Sequence, residues 1–203
     1  MGERSSIGLA RTAIAGTLTA TLALLTGCAS GTPETPAVPT PAPEDQPLQP
    51  TEPPLDYRRV SGAGFRLGVP SSYEEVITAF PNGVTVSQWR APHPGEALST
   101  AITVVREAAP TQSAEQQAAA LVRRLRDEDV DAARVGLTWP GARSAQFVVW
   151  QEAPRGGGEA RRIEQLMVQA NDGVIFSVVA FAPDALFETT DLPRSSSTFS
   201  VMS

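Results

Sequence analysis

The stretch "NDGVIFSVVAF", residues 171–181, combines a turn signal with a run that is apolar on both sides. Asp172-Gly173 predicts a hairpin turn, since both central positions of such a turn need a positive φ. In residues 174–181 that follow, both alternating sets of side chains are largely apolar. A strand of this kind needs cover on both faces, so we expect it at the centre of a layered domain.

Further strands are predicted on the N-terminal side of this stretch, where short runs rich in β-branched and apolar residues are separated by turn residues. These runs are residues 65–69, 85–89, 101–107, 135–138, 145–152 and 162–170. Because the last runs are joined by short connections, they predict a meander of antiparallel neighbours.

Two helices are predicted. In "SAEQQAAALVRRLRD", residues 113–127, Ser113 can cap the helix and Gln116 completes a capping box. An apolar stripe follows at helical spacing, formed by Ala118, Leu121, Val122 and Leu125. The second predicted helix lies in "PDALFETTDLPRSSSTFSV" and begins near Asp184. These elements together predict an α+β fold, with a mostly antiparallel sheet of about six strands flanked by helices.

The order of these elements resembles a known architecture. A strand "FRLGVP" is followed by further strands, the helix "SAEQQAAALVRRL", a three-strand meander and a closing segment "SSSTFSV". This layout is similar to the PsbP-like α/β/α sandwich of actinobacterial lipoproteins of the LpqN/LpqT type. The resemblance implies an accessory protein of the cell envelope that binds protein or lipid-glycan partners, and it brings no catalytic signature.

The N-terminal residues 1–27 predict a secretory signal. Arg4 and Arg11 precede the uncharged run "TAIAGTLTATLALL", which is too short to span a bilayer. The run leads into "LTGC", residues 25–28, which resembles the lipobox of bacterial lipoproteins. We therefore expect cleavage between Gly27 and Cys28, lipidation of Cys28, and a chain anchored on the extracytoplasmic face of the cell membrane.

Residues 28–56 predict a stalk between the anchor and a globular domain, residues 57–203. The stalk contains nine prolines, five acids and no arginine. Such a composition favours extended polyproline structure, so the 28 residues after Cys28 can reach roughly 85 Å at about 3.1 Å each. We expect this segment to be a disordered spacer.

Composition excludes several kinds of chemistry. All 16 basic residues are arginine, so Schiff-base chemistry and a phosphate-loop lysine are absent. A net charge of -6 argues against a nucleic-acid partner, which requires a basic face. Because Cys28 is the single cysteine and is expected to carry lipid, the mature domain has no thiol nucleophile and no disulfide.

Candidate catalytic and metal-ligating residues are few. His93 is the single histidine, so a histidine-dependent hydrolase would have to use it; this enzyme is our alternative hypothesis. The acids of residues 127–131 lack the glycine and the final carboxylate of a calcium loop. We therefore expect no metal, no cofactor and no catalytic residues, and an exposed loop position for His93.

Three residues are candidate partner contacts. Trp139 precedes a proline and is expected to be an exposed aromatic, while Arg161 and Arg162 could meet an anionic group. The sequence thus predicts a non-enzymatic, membrane-tethered binding or accessory protein for envelope assembly or transport. An assembly factor for a membrane complex is a further alternative that differs in its partner.

Overall fold

The computed structural model describes residues 46–79, 84–92, 100–154 and 159–202 of the 203-residue chain. The expected signal peptide, Gly27, Cys28 and His93 lie outside these ranges. The described strands are β1 (Tyr57–Gly62), β2 (Phe65–Pro70), β3 (Glu74–Ala79), β4 (Val84–Arg90), β5 (Ala101–Glu107), β6 (Ala132–Leu137), β7 (Ala142–Glu152), β8 (Arg161–Ala170), β9 (Ile175–Pro183) and β10 (Ser200–Val201). The described helices are α1 (Ala114–Asp127), α2 (Asp184–Phe187) and α3 (Leu192–Ser197).

Seven strands form the main sheet, in the order β3-β4-β5-β9-β8-β7-β6, and all neighbouring strands are antiparallel. The sequence predicted about six strands, so the sheet is slightly larger than expected. A second sheet of three strands has the order β1-β2-β10. The sequence predicted β2 but neither β1, β3 nor β10. The α+β class is confirmed.

Strand β9 lies in the middle of the main sheet and separates two apolar cores. Phe176, Val178 and Ala180 face the core shared with the small sheet, α2 and α3. Ile175 belongs to the second core, under α1, and Val179 packs against that core. The predicted cover on both faces is therefore present for the first half of β9, whereas Val179 and Phe181 in its second half are only partly covered on the α1 side.

The first residues of α1 satisfy their backbone groups as the sequence predicts. The Gln116 amide donates to Ser113 Oγ at 3.2 Å, and the Ser113 amide donates to Gln116 Oε1 at 2.9 Å, which completes the capping box. Ala118, Leu121 and Leu125 are buried along one stripe of the helix. That stripe packs on β6, β7 and β8.

The turn between β8 and β9 has a different geometry from the one predicted. Gly173 has a φ of 94°, but Asp172 does not have a positive φ. The Gly173 amide donates to the Ala170 carbonyl at 3.0 Å, and the Asp172 carboxylate accepts from the Val174 amide at 3.1 Å. The hairpin is thus closed by a turn in which only the glycine is left-handed, because the Asp172 side chain supplies one of the closing hydrogen bonds.

The C-terminal segment is broken into two short helices and a strand, where the sequence predicted one helix. Thr189 Oγ1 donates to the Leu186 carbonyl at 2.8 Å, and Thr190 Oγ1 donates to the Phe187 carbonyl at 2.6 Å. These hydroxyl groups satisfy the backbone carbonyls at the end of α2 in place of amides of a further helical turn, so the helix ends there. Pro193 then occupies the first turn of α3, where its missing amide costs nothing.

The last part of the predicted stalk packs against the domain. We name residues 46–54 the strap. Leu48 is 7% exposed and belongs to the main core, while Gln46 Oε1 accepts from the Thr138 amide at 3.0 Å. The Thr51 amide donates to the Ser197 carbonyl at 2.9 Å. The folded part of the chain therefore begins by Gln46 rather than at Tyr57, which corrects the predicted boundary.

Gly68 fixes the distance between the strap and β2. A Cβ atom at this position would lie 2.8 Å from Pro53 Cβ and 3.0 Å from Thr198 Oγ1. Thr198 Oγ1 also accepts a hydrogen bond from the Gly68 amide at 2.7 Å. Any side chain at position 68 would thus be too close to Pro53 of the strap and to Thr198.

We predict that Gly68→Ala lowers the free energy of unfolding by about 1–3 kcal/mol, because the added methyl group overpacks the contact with Pro53. Urea denaturation measures the effect. Gly136→Ala is the matched control, since its Cβ would meet nothing closer than 3.6 Å, and it should leave stability equal or raise it by less than about 1 kcal/mol. Equal behaviour of the two variants would contradict the close strap contact.

Candidate partner surface

Among the residues that the structure describes, the helix layer covers only part of one face of the main sheet. Helix α1 packs on β6, β7 and β8, and it reaches β5 through the hydrogen bond from Gln117 Nε2 to Glu107 Oε2 at 3.1 Å. On the same face, β3, β4, β5 and the second half of β9 form a surface that we name the open face. Its register aligns the side chains Val76, Val86, Gln88, Arg90, Thr103, Val105, Val179 and Phe181.

Polar side chains cross the open face in a hydrogen-bonded row. Gln88 and Thr103 are directly opposite each other on β4 and β5, and Gln88 Nε2 donates to Thr103 Oγ1 at 2.9 Å. Gln88 Oε1 accepts from Arg90 Nε at 2.6 Å. These bonds fix the three side chains in one arrangement, so the open face presents a preformed polar row rather than freely rotating groups.

Apolar side chains flank this row and remain partly exposed. Val76 is 40% exposed, and Val86, Val105 and Val179 are half-buried. Phe181 is also half-buried, at the end of the sheet where β8 begins. A rigid surface that combines aliphatic groups, one aromatic ring and a few fixed polar groups is suited to bind a partner rather than water alone.

A groove borders the open face where α1 stands over the sheet. It has a volume of about 370 Å³, and Gln117, Leu121 and Arg124 form its helix side while Gln165 and Met167 form its sheet side. Gln165 and Val179 are opposite each other in the ladder, so the groove continues onto the open face. The amide groups here can both donate and accept hydrogen bonds.

The structure separates the two predicted arginines. Arg161 lies at the edge of the open face, with its guanidinium 6.0 Å from the centre of the Phe181 ring. Arg162 points to the other face of the sheet, where it pairs with Glu188 at 2.6 Å and with Glu164 at 3.0 Å. Successive residues of a strand face opposite sides, so the two arginines cannot contact one ligand together.

The prediction of an exposed Trp139 is wrong. Its side chain is 4% exposed, and Nε1 donates to the Phe199 carbonyl at 3.2 Å within the main core. Trp139 follows β6, while Arg161 and Arg162 begin β8 at the opposite end of the β7–β8 pair. The physical reason is that the small sheet and the strap, which the sequence did not predict there, cover this end of the domain.

The residues that do form the open face carry weaker sequence signals. In β4, "VTVSQWR", Val84, Val86, Gln88 and Arg90 fall on one face and Trp89 on the other. Trp89 is 1% exposed and belongs to the main core. Along this face of β4, two valines are followed by Gln88 and Arg90. This change from apolar to polar side chains was the signal that the face reaches solvent.

One buried carboxyl group lies on the face opposite to the open face. Burial raises the pKa of Glu164, while the positive charge of Arg162 partly opposes that rise. The neutral form is thus favoured by folding, so the stability that Glu164 contributes is present at low pH and is lost as the pH rises through its folded-state pKa.

Burial and the nearby Asp191 carboxylate likewise raise the pKa of Tyr73, to about 12.

We predict that Glu164→Gln raises the free energy of unfolding at pH 7, because the amide, unlike the carboxyl group, has no charged form that burial disfavours. The difference from the unmodified chain should shrink as the pH falls below the raised pKa of Glu164. Chemical denaturation at several pH values measures it. Glu188→Gln is the control: this partner of Arg162 is 71% exposed and should change stability by less than about 1 kcal/mol.

A loss of stability in Glu164→Gln at neutral pH would show instead that the pair with Arg162 outweighs the burial of the carboxylate.

The described residues contain neither a cluster of metal-ligating side chains nor a membrane-spanning helix. Within the described ranges, no group of three or more His, Cys, Asp or Glu side chains is placed to hold a metal ion. None of the described helices is long and apolar enough to cross a membrane.

Comparison with known proteins identifies the fold. No family model and no curated protein matches the chain. The solution structure of cyanobacterial PsbP (CyanoP) from Synechocystis sp. PCC 6803 matches with a TM-score of 0.52 at 14% identity, over 72% of this chain and 92% of that one. The fold is PsbP-like. LpqN, involved in cell envelope biogenesis of Mycobacterium tuberculosis, gives a TM-score of 0.37 at 14% identity, over 81% of this chain and 90% of its own.

Proposed function

We propose that this chain is an extracytoplasmic lipoprotein that acts as a binding or accessory protein in the cell envelope, with the open face as its partner surface. The observation that carries the proposal is the incomplete helix layer, which leaves a preformed polar row and several valines of β3, β4, β5 and β9 accessible. The lipobox-like "LTGC" supports the anchor, and the partner is a protein or a lipid-glycan of the envelope.

A binding role agrees with the character of this surface. Its hydrogen-bonding groups already satisfy one another, through Gln88, Thr103 and Arg90, so a partner meets an ordered array and loses little entropy in ordering it. The outer strand β3 places Glu74 and Glu75 at the sheet edge. Charged residues at an edge oppose uncontrolled strand pairing, which favours binding through the face.

We predict that Cys28→Ser moves the protein from the membrane fraction to the soluble extracytoplasmic fraction, because serine cannot form the lipid thioether. Fractionation and mass spectrometry of the intact chain provide the measurement. The unmodified chain should begin at Cys28 and carry the added mass of its acyl chains. Membrane retention of the serine variant, or an unlipidated Cys28, would contradict the anchor.

The partner surface is tested by placing a photocrosslinker on single introduced cysteines in the lipidated full chain on intact membranes. Val76→Cys, on the open face, should form an adduct. Leu186→Cys should not, although Leu186 is 51% exposed and Val76 only 40%. Adding Val86→Arg to the Val76→Cys chain should lower the adduct yield at least about tenfold, because a charge replaces an apolar contact group.

Equal adducts from positions 76 and 186, or no effect of Val86→Arg, would show that the open face is not where the partner binds.

A further inference from the structure

The strap encloses a second groove, on the side of the molecule opposite to α1. This strap groove has a volume of about 390 Å³ and lies between the strap and the outer side of the small sheet. Its lining includes Pro50, Pro53, Arg59, Arg66, Pro140 and Ser200. No residue of the open face contributes to it, so the groove is a separate feature of the domain.

Two arginines converge on this groove. In the β1–β2 ladder, Arg59 is opposite Gly68 and Arg66 is opposite Ser61, so the arginines are diagonal neighbours on one face, about 7 Å apart. Pro53 of the strap and Thr198 lie over Gly68, beside the two arginines, and all four of these neighbours line the groove. Both can therefore reach one anionic group in the groove.

The charge of the groove is only partly neutralised. Glu52 of the strap contacts Arg59 at 3.2 Å, but the two side chains are 70% and 90% exposed, so the pair is weak. In the part of the chain that the structure describes, no carboxylate lies within 4.0 Å of the Arg66 guanidinium. Glu52 thus acts as an internal anion that leaves Arg66 unneutralised.

The remaining walls of the groove combine three prolines with the hydroxyl side chains of Thr51, Thr198 and Ser200. Pro50, Pro53 and Pro140 have restricted backbones, and the strap is fixed by the hydrogen bonds of Thr51 to Ser197. A ligand would therefore find the groove already formed, and its volume suits a small molecule. The prolines offer hydrocarbon to a ligand, while the hydroxyl groups of Thr51 and Thr198 are hydrogen-bonded within the domain.

We propose that the strap groove binds an amphipathic anion, with a carboxylate or phosphate head on Arg66 and Arg59 and a short apolar chain against the prolines. On binding, the head displaces the Glu52 carboxylate from Arg59. The strap thereby forms a wall of the site through its prolines, and it competes with the ligand for Arg59 through Glu52. The site is formed entirely by residues of the folded domain, so it does not depend on a lipid at Cys28.

The test uses the full chain in a non-ionic detergent and titrates it with hexyl phosphate, hexanoate and inorganic phosphate, followed by calorimetry. Hexyl phosphate or hexanoate should bind, and more tightly than inorganic phosphate. Arg66→Gln should weaken that binding at least tenfold, whereas Glu52→Gln should strengthen it several-fold. Arg123→Gln removes the same charge from the exposed side of α1 and should have no effect, which also controls for partition into detergent.

Three results would overturn the proposal. The first is no saturable binding of either amphiphile at millimolar concentration. The second is equal binding of inorganic phosphate and hexyl phosphate, which would leave the prolines without a role. The third is an equal loss of binding in Arg66→Gln and Arg123→Gln. Because Arg66 is exposed, its variant is expected to fold, and the gain expected from Glu52→Gln does not depend on it.

Discussion

The two apolar faces of β9 are the constraint on which the rest of the structure depends. A strand whose two sides are apolar must lie between two layers, and here those layers are α1 on one side and the small sheet with α2 and α3 on the other. Its neighbours β5 and β8 are paired with it along nearly their whole lengths. Every other strand of the main sheet extends outward from this trio, and both cores meet at β9.

The two layers do not cover the sheet equally, because one helix is narrower than seven strands. Neighbouring strands are about 4.8 Å apart, whereas a helix with its side chains is about 10 Å wide. Helix α1 therefore shields β6, β7 and β8 but leaves the same face of β3, β4 and β5 with half-buried side chains. In the described part of the chain, the open face thus results from one helix on a sheet of seven strands. The polar side chains of Gln88, Thr103 and Arg90 hydrogen-bond to one another on this face.

The sequence predicted the elements whose signals are local. The capping box at Ser113, the stripe on α1 and the two apolar faces of β9 depend on residues close in the chain, and all are present. Long-range effects account for the errors. Trp139 is buried by the strap and by Phe199, and β1 and β10 exist because they pair with β2. Their own sequences carry little strand signal.

The strap shows most clearly why composition alone could not place the site. Its prolines are typical of a solvated spacer, yet Gln46, Leu48 and Thr51 all contact the domain. The hydrogen bonds of Gln46 and Thr51 reach residues that are 92 and 146 positions away in the chain, which local patterns cannot reveal. The arginines of the strap groove are likewise exposed residues of β1 and β2. They line a groove only because the strap packs beside them.

This arrangement changes what a tether at Cys28 would do. Because the strap packs on the core, at most residues 29–45, which are 17 residues rather than 28, would separate a lipidated Cys28 from the folded domain. In extended polyproline structure this segment would reach roughly 53 Å, at about 3.1 Å per residue. The chain would also enter the domain beside Thr138, at the end of the sheet away from Arg161 and Phe181. Among the described residues, Thr138 and Phe181 are thus at opposite ends of the main sheet.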